Sequence, residues 1–338
     1  MKKISLIALA ACVALAACTK NEVKPVVADQ EITFQTISTK AADAYATSNV
    51  FKTWAYMHTV DYAASIDKQL YLGGADGLEI SYDPATTQWK NGSNSYYWPK
   101  NGDKLTFFSY ATNNTTCALT GATVKCDFEQ GVTVTDFDTA KNLNVDFLVA
   151  DVAKDQTANT DPATYHYVGV PTLFRHKLSN VIFTINTKEN YAKKTFKLES
   201  IELVKVAKTA NYIQNPLNPT AEGWVGLTTH DVTYCNTETE FAKTVVIPTA
   251  IQSYYIPQTF DPADKVVLKY KIITDNGESD PSKHAVETVT VEKKLSDLFS
   301  ASWMMGHRYT CAITVSLDEI LWDPAVETWV DEYKQITI

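Results

Sequence analysis

Apolar and polar residues alternate, or gather into compact β-branched and aromatic runs, at Glu31–Ile37, Thr53–Met57, Gly77–Tyr82, Lys104–Tyr110, Val145–Ala150, Val181–Asn186, Leu198–Val206, Lys243–Ile247, Val266–Ile273 and Tyr309–Leu317. A period of two sends successive side chains to opposite faces of an extended chain, so each run predicts a strand. Helical periodicity is confined to Lys294–Met305 (KLSDLFSASWMM), which predicts one short helix. Strands never alternate with long helices, which excludes βαβ architecture and predicts an all-β, sandwich-forming chain. No segment recurs at a fixed period, so solenoids and propellers are excluded as well. Polar stretches at Ala153–Thr164 and Asn211–Gly223 predict loops, and Thr187–Lys194 (TKENYAKK) predicts a joint between two strand groups. A chain of 338 residues suits two domains, expected at 31–187 and 188–338.

The amino terminus follows a different pattern. Met1–Ala17 (MKKISLIALAACVALAA) places Lys2 and Lys3 before an apolar run too short to span a bilayer, as in a secretory signal peptide. Leu15-Ala16-Ala17-Cys18 closes that run and resembles the lipobox of bacterial lipoproteins. The resemblance implies cleavage before Cys18 and acylation of its thiol, with about 0.8 kcal/mol of membrane attachment per buried methylene. An ordinary signal peptide with an incidental cysteine is the alternative. Residues 18–30, with Pro25 among polar neighbours, read as a tether.

Composition narrows the function classes. Hydrophobic residues make up 45% of the chain, with only 12 Gly and 12 Pro, which excludes disordered and collagen-like classes. The net charge is −9, with Arg175 and Arg308 as the only arginines, so no basic patch exists to hold nucleic acid. The six histidines (His58, His166, His176, His230, His284, His307) stand apart, without the spacing of a zinc site. Asp151, Asp155 and Asp161 lack the spacing of a calcium loop, and no GxSxG, GxxxxGK[ST] or GxGxxG segment is present. No catalytic residue, cofactor or metal is therefore predicted, although a glycosidase carboxylate pair is not detectable by pattern. His176 reads as a packed structural histidine. Trp54, Trp89 and Tyr96-Tyr97-Trp98-Pro99 read as core aromatics, against the alternative of a sugar-stacking platform. Asp138-Thr139-Ala140 resembles a short O-glycosylation signal of exported proteins, against the alternative of a plain surface loop.

Cys12 lies in the signal, which leaves Cys117, Cys126, Cys235 and Cys311 besides Cys18. In CALTGATVKC a two-residue turn at Gly121-Ala122 would pair Thr120 with Thr123 and Cys117 with Cys126. The latter becomes a non-hydrogen-bonded pair, with a Cα separation of about 4.5 Å that suits a disulfide. Buried free thiols are the alternative.

Several segments recur in an order more specific than any one of them. After the lipobox come EITFQTISTKAAD (31–43), NSYYWPKNGDKLTFFSYAT (94–112), DFLVAD (146–151), LFRHKLSNVIFTI (173–185), YYIPQ (254–258) and SWMMGHRYTCAITVSLDEILWDPAVETW (302–329). The series resembles the fimbrillin-like family of Bacteroidetes, the lipoprotein precursors of type V pilus subunits. The resemblance implies two transthyretin-like antiparallel β-sandwich domains in tandem, outer-membrane anchoring through Cys18, and assembly with other fimbrial subunits. It also implies proteolytic loss of the first strand and insertion of a neighbour's strand in its place. The expected cut is at Lys40, where family precursors usually carry Arg, with Lys24 and Lys52 as the runner-up sites and an ordinary exposed loop lysine as the alternative. The expected donor is Ala325–Ile338, with Val326, Val330, Ile336 and Ile338 on one face, Trp329 and Tyr333 on the other, and Glu332 and Lys334 interrupting the first. The competing reading is that this tail completes its own domain's sheet. A host or bacterial surface ligand is a further implied partner. A surface glycan-binding lipoprotein that does not polymerise is the alternative function, and it requires exposed aromatics at Trp89, Trp98 and Trp224.

Overall fold

The computed structural model describes residues 29–36, 45–158, 169–235, 238–245 and 253–328. Its largest sheet is built around the adjacent strands Val50–His58 and Lys104–Thr112, paired without interruption from Phe51↔Ala111 to His58↔Lys104. Eight strands follow one another in the order 170–172, 34–36, 88–90, 78–83, 50–58, 104–112, 147–150, 174–176, with 69–72 and 153–156 paired alongside. The first and last of these, Val170–Thr172 and Phe174–His176, are separated in sequence only by Leu173. One piece of chain therefore serves both ends of the order, and the sheet closes on itself.

Closure explains why Lys104–Thr112 (KLTFFSYAT) is apolar on both faces. Leu105, Phe107 and Ala111 face the interior of the closed sheet, with Phe34, Phe51, Trp89 and Trp98. Phe108 and Tyr110 face outward and join Trp54, Phe147 and Val149 in a second core. That core is covered by Val132, Val134 and Phe137 of the strand Gly131–Asp138 and by Ala210 and Tyr212. A third core lies between the four-stranded sheet 253–255, 179–187, 307–315, 320–328 and the strands Lys194–Ile213 and Lys265–Thr274, with Leu295, Leu298 and Phe299 of the helix Leu295–Phe299 closing one end.

The 20-residue strand Lys194–Ile213 links the second and third cores. Residues 194–204 pair with Lys265–Thr274, and residues 209–213 pair on the same side with Gly131–Asp138. Between them Lys205 sits at φ 60°, and bulging there turns the strand from one sandwich to the next. On the opposite side it carries Gly223–Cys235 and Thr239–Phe241.

The class is all-β, as the alternation predicts. The expected joint is displaced: Ser179–Thr187, assigned above to the first domain, pairs with His307–Val315 and Ser253–Tyr255 in the second sandwich. Conversely, part of Lys194–Ile213 completes the first. Two pairings are parallel, 34–36 with 170–172 and 179–187 with 307–315. The predicted strand Lys243–Ile247 is a turn at Lys243-Thr244 closed by an Ala242–Val245 bridge, with 246–247 outside the described residues. The helix stops at Phe299 because Ser300 adopts φ 64°, after which Ser302–Trp303 pairs with Gln258–Thr259. The loop expected from Ala153 begins as the strand Ala153–Gln156, and Asn211–Ile213 remain within the long strand.

Candidate functional site

The strand Phe34–Thr36 occupies the seam where the large sheet closes. Ile32 and Phe34 alternate inward and are 4% and 2% exposed, while Gln35 faces solvent. On one side the strand runs parallel to Val170–Thr172, with Phe34↔Val170 to Thr36↔Thr172 in register, and Val170 N donates to Thr33 O at 2.7 Å. On the other side its ladder to Gln88–Lys90 amounts to the single pair Phe34↔Trp89. Just upstream, Ile32 N donates to Tyr96 O and Trp98 N to Gln30 O. The Phe34 ring meets Phe51 and Phe107 edge-on at centroid distances of 5.5 and 5.6 Å. Gly169, at φ 91°, lets the neighbouring backbone come this close, since a Cβ there would lie 2.5 Å from Thr33 O.

The seat is anchored again on the far side of residues 37–44. Tyr45 Oη donates to Val50 O at 2.5 Å, and its ring packs against Phe174 and Trp89 at 5.1 and 5.5 Å. Burial pushes the Tyr45 hydroxyl far up from its ordinary range, so it stays a neutral donor. Lys40 lies between these two anchors but outside the described residues. A cut in that span would leave Tyr45 holding the downstream chain, and would leave the strand joined to the rest by non-covalent contacts: its side ladders, the bonds of Gln30 and Ile32 to Trp98 and Tyr96, and the burial of Ile32 and Phe34. Withdrawing the strand would return Ile32 and Phe34 to water at about 1.5–3 kcal/mol each and strip backbone partners from 170–172, Trp89, Tyr96 and Trp98. Another extended segment restores both. Pairing and shape complementarity are the chemistry available here.

Cys18, Val330, Ile336 and Ile338 also lie outside the described residues. Val326 lies in the edge strand Ile320–Thr328, opposite Tyr309, and is 48% exposed. Through Thr328, then, the tail completes the chain's own sheet. The hairpin expected at Gly121-Ala122 does not form: Thr123–Asp127 pairs with Gly131–Asp138, placing Cys126 opposite Val132. Asn114 accepts hydrogen bonds from the backbone at Thr116 and Ala118, Cys117 takes φ 54°, and Thr120 N donates to Asn142 Oδ1. The proposed disulfide is replaced by free thiols at Cys117 and Cys126.

Trp54, Trp89 and Trp98 are buried, and Trp224, half-buried, donates from Nε1 to Lys177 O while packing on Phe137 and Tyr212. They line cores instead of forming an exposed platform. Thr139 of the Asp-Thr-Ala segment is fully buried, with Oγ1 donating to Ala207 O, and its side chain is closed to a glycosyltransferase in the folded chain. His176 is a structural residue whose Nδ1 lies 2.5 Å from Asp146 Oδ2. Asp151 pairs with Arg175, and Asp155 receives Tyr62 N. Among the described residues no cluster of His, Cys, Asp and Glu could hold a metal. Sequence reasoning missed Gly169–Thr172, half of the seat, because Pro171 within GVPT argues against a strand.

The sequence profile of the fimbrillin-like family matches residues 39–329. No curated protein sequence matches the chain. Among solved structures, the chain resembles a fimbrial protein from Bacteroides vulgatus at 15% identity and a TM-score of 0.56, covering 89% of this chain and 99% of that one. It also resembles a candidate cell adhesion protein from Bacteroides uniformis at 13% identity and a TM-score of 0.50, covering 89% and 98%. At these identities the likenesses speak for the fold, and with the profile match over most of its length the chain belongs to the fimbrillin-like family.

Proposed function

We propose that this protein is a structural or adhesive subunit of a cell-surface fimbria that assembles by exchanging its first strand for an extended segment of a neighbouring subunit. Export as a lipoprotein anchored in the outer membrane at Cys18 and a cut after Lys40 complete the reading. The observation that carries it is the seat of residues 31–36 at the seam of a closed sheet: Ile32 and Phe34 are buried, with a three-residue ladder on one side and, on the other, the pair Phe34↔Trp89 and a bridge from Glu31 to Tyr97. Family membership supports it. The donor is drawn from the carboxyl-terminal tail beyond Thr328, since residues 320–328 are already paired within their own sheet.

The test is to treat the purified lipid-free precursor with a Lys-specific protease. Ladders on a denaturing gel, with a new amino terminus at Ala41, are expected, and Lys40→Gln should abolish both. Ladders that form equally well from the Lys40→Gln chain would refute the assigned cut. Cleavage at Lys40 that leaves only monomers would refute assembly by exchange of this strand.

A further inference from the structure

The outer strand Ala285–Lys294 (AVETVTVEKK) forms an edge of the seven-stranded sheet, paired over all ten residues with Lys265–Thr274 and with no strand on its other side among the described residues. Such an edge presents a row of backbone donors and acceptors, and proteins ordinarily blunt it with proline, bulges or charge. The other long edges here are blunted. Ile320–Thr328 carries Pro324, and Gly223–Cys235 is broken by register shifts. Ala285–Lys294 has neither proline nor a register shift; its charges, Glu287, Glu292, Lys293 and Lys294, are of both signs and balance to zero, and Val286 on its outer face is 57% exposed.

The strand is also complementary to itself. A two-fold axis normal to the sheet, the symmetry of most dimers, pairs an edge with its own copy antiparallel and keeps like faces together. With Thr290 on the axis, Val289 lies opposite Val291 of the second copy and Thr288 opposite Glu292. Glu287 then lies opposite Lys293, and the axis makes this pair twice; on the outer face Val286 lies opposite Lys294, whose aliphatic stem can cover it. Sliding by two residues in either direction places Val291 or Ala285 opposite Glu287 or Lys293, or Val289 opposite Lys293, and removes both ion pairs. Val289, Val291 and Lys293 are half-buried on the face turned toward the third core, so the valine pairs would extend that core across the axis. Glu292 is already engaged by Lys265, whereas Glu287 and Lys293 make no ion pair within the described chain.

We propose that two copies of this protein associate through Ala285–Lys294, antiparallel about Thr290, with Glu287 of each facing Lys293 of the other. The contact sits at the small end of protein interfaces, so a Kd of about 10 µM to 1 mM is expected. Sedimentation equilibrium of the full chain at low salt should show a concentration-dependent dimer that weakens as salt is added. Glu287→Lys and Lys293→Glu should each weaken it by about tenfold or more through like-charge opposition, and the double reversal should restore it to within about threefold. Melting curves unchanged from the parent would show that the variants fold, as expected for an outer strand. A monomer at every concentration, a dimer indifferent to the single reversals, or a double reversal no better than the singles would each overturn the proposal.

Discussion

Phe34 shows how much a single side chain contributes to the seam. It is buried between Phe51 and Phe107, and its truncation leaves a cavity that those rings cannot fill, so Phe34→Ala should cost the precursor about 3–5 kcal/mol in urea unfolding. Gln35→Ala, on the solvent side, leaves no such cavity and should cost less than Phe34→Ala. In chains that begin at Ala41, neither position exists and the difference vanishes. Burial pushes the Cys117 thiol up to about 12, so alkylation at pH 8 should leave it unmodified until denaturant is added. The tryptophans were legible as core residues because large aromatics at alternating positions have few other uses. The cysteine pairing was not, because the left-handed turn at Cys117 depends on Asn114 and Asn142 capping groups distant from any pattern in CALTGATVKC.

Strand length decided what could be read at the level of elements. Long strands with uniform alternation, such as Lys104–Thr112 and Lys265–Thr274, announce themselves, whereas three-residue pieces such as Val170–Thr172 and Gln88–Lys90 are too short to show a period. The seam's own strand is as short, Phe34–Thr36, and is legible only because the run Glu31–Ile37 around it alternates through Ile32 and Phe34, whereas Pro171 interrupts the piece it pairs with. The polar segment Thr187–Lys194 is a connection between two strands that both belong to the second sandwich, whereas the crossing between sandwiches is a bulge at Lys205 inside one strand, with nothing of a linker in its composition. Gly169 gives the element-scale test. Both Gly169, at φ 91°, and exposed Gly74, at φ 53°, strain a β-branched residue, but only at Gly169 does backbone stand 2.5 Å from the added Cβ, so Gly169→Val should destabilise the precursor more than Gly74→Val. Comparable melting temperatures for the two variants would contradict this account of the close approach.

For the molecule as a whole, ionisation of buried tyrosines sets an alkaline limit. Burial pushes the hydroxyl of Tyr56 up to about 12 and raises those of Tyr45, Tyr62, Tyr110, Tyr212 and Tyr254 further. A folded-state pKa above the unfolded value of about 10 means that these groups contribute their full stability below pH 10 and lose it as pH rises through the folded values. Phenolate absorbance should therefore lag behind that of free tyrosine above pH 10 and then rise together with loss of the β-sheet circular dichroism signal. A gradual phenolate rise with the fold intact would show the rings to be open to solvent. The strand Lys194–Ile213 has another consequence for how the molecule opens. Because one covalent segment is stitched into both sandwiches, opening either one strips pairing partners from a strand that the other also uses. Followed by hydrogen exchange, amides on the two sides of Lys205 should therefore become exposed in one cooperative opening, and two openings of different free energy would contradict this coupling.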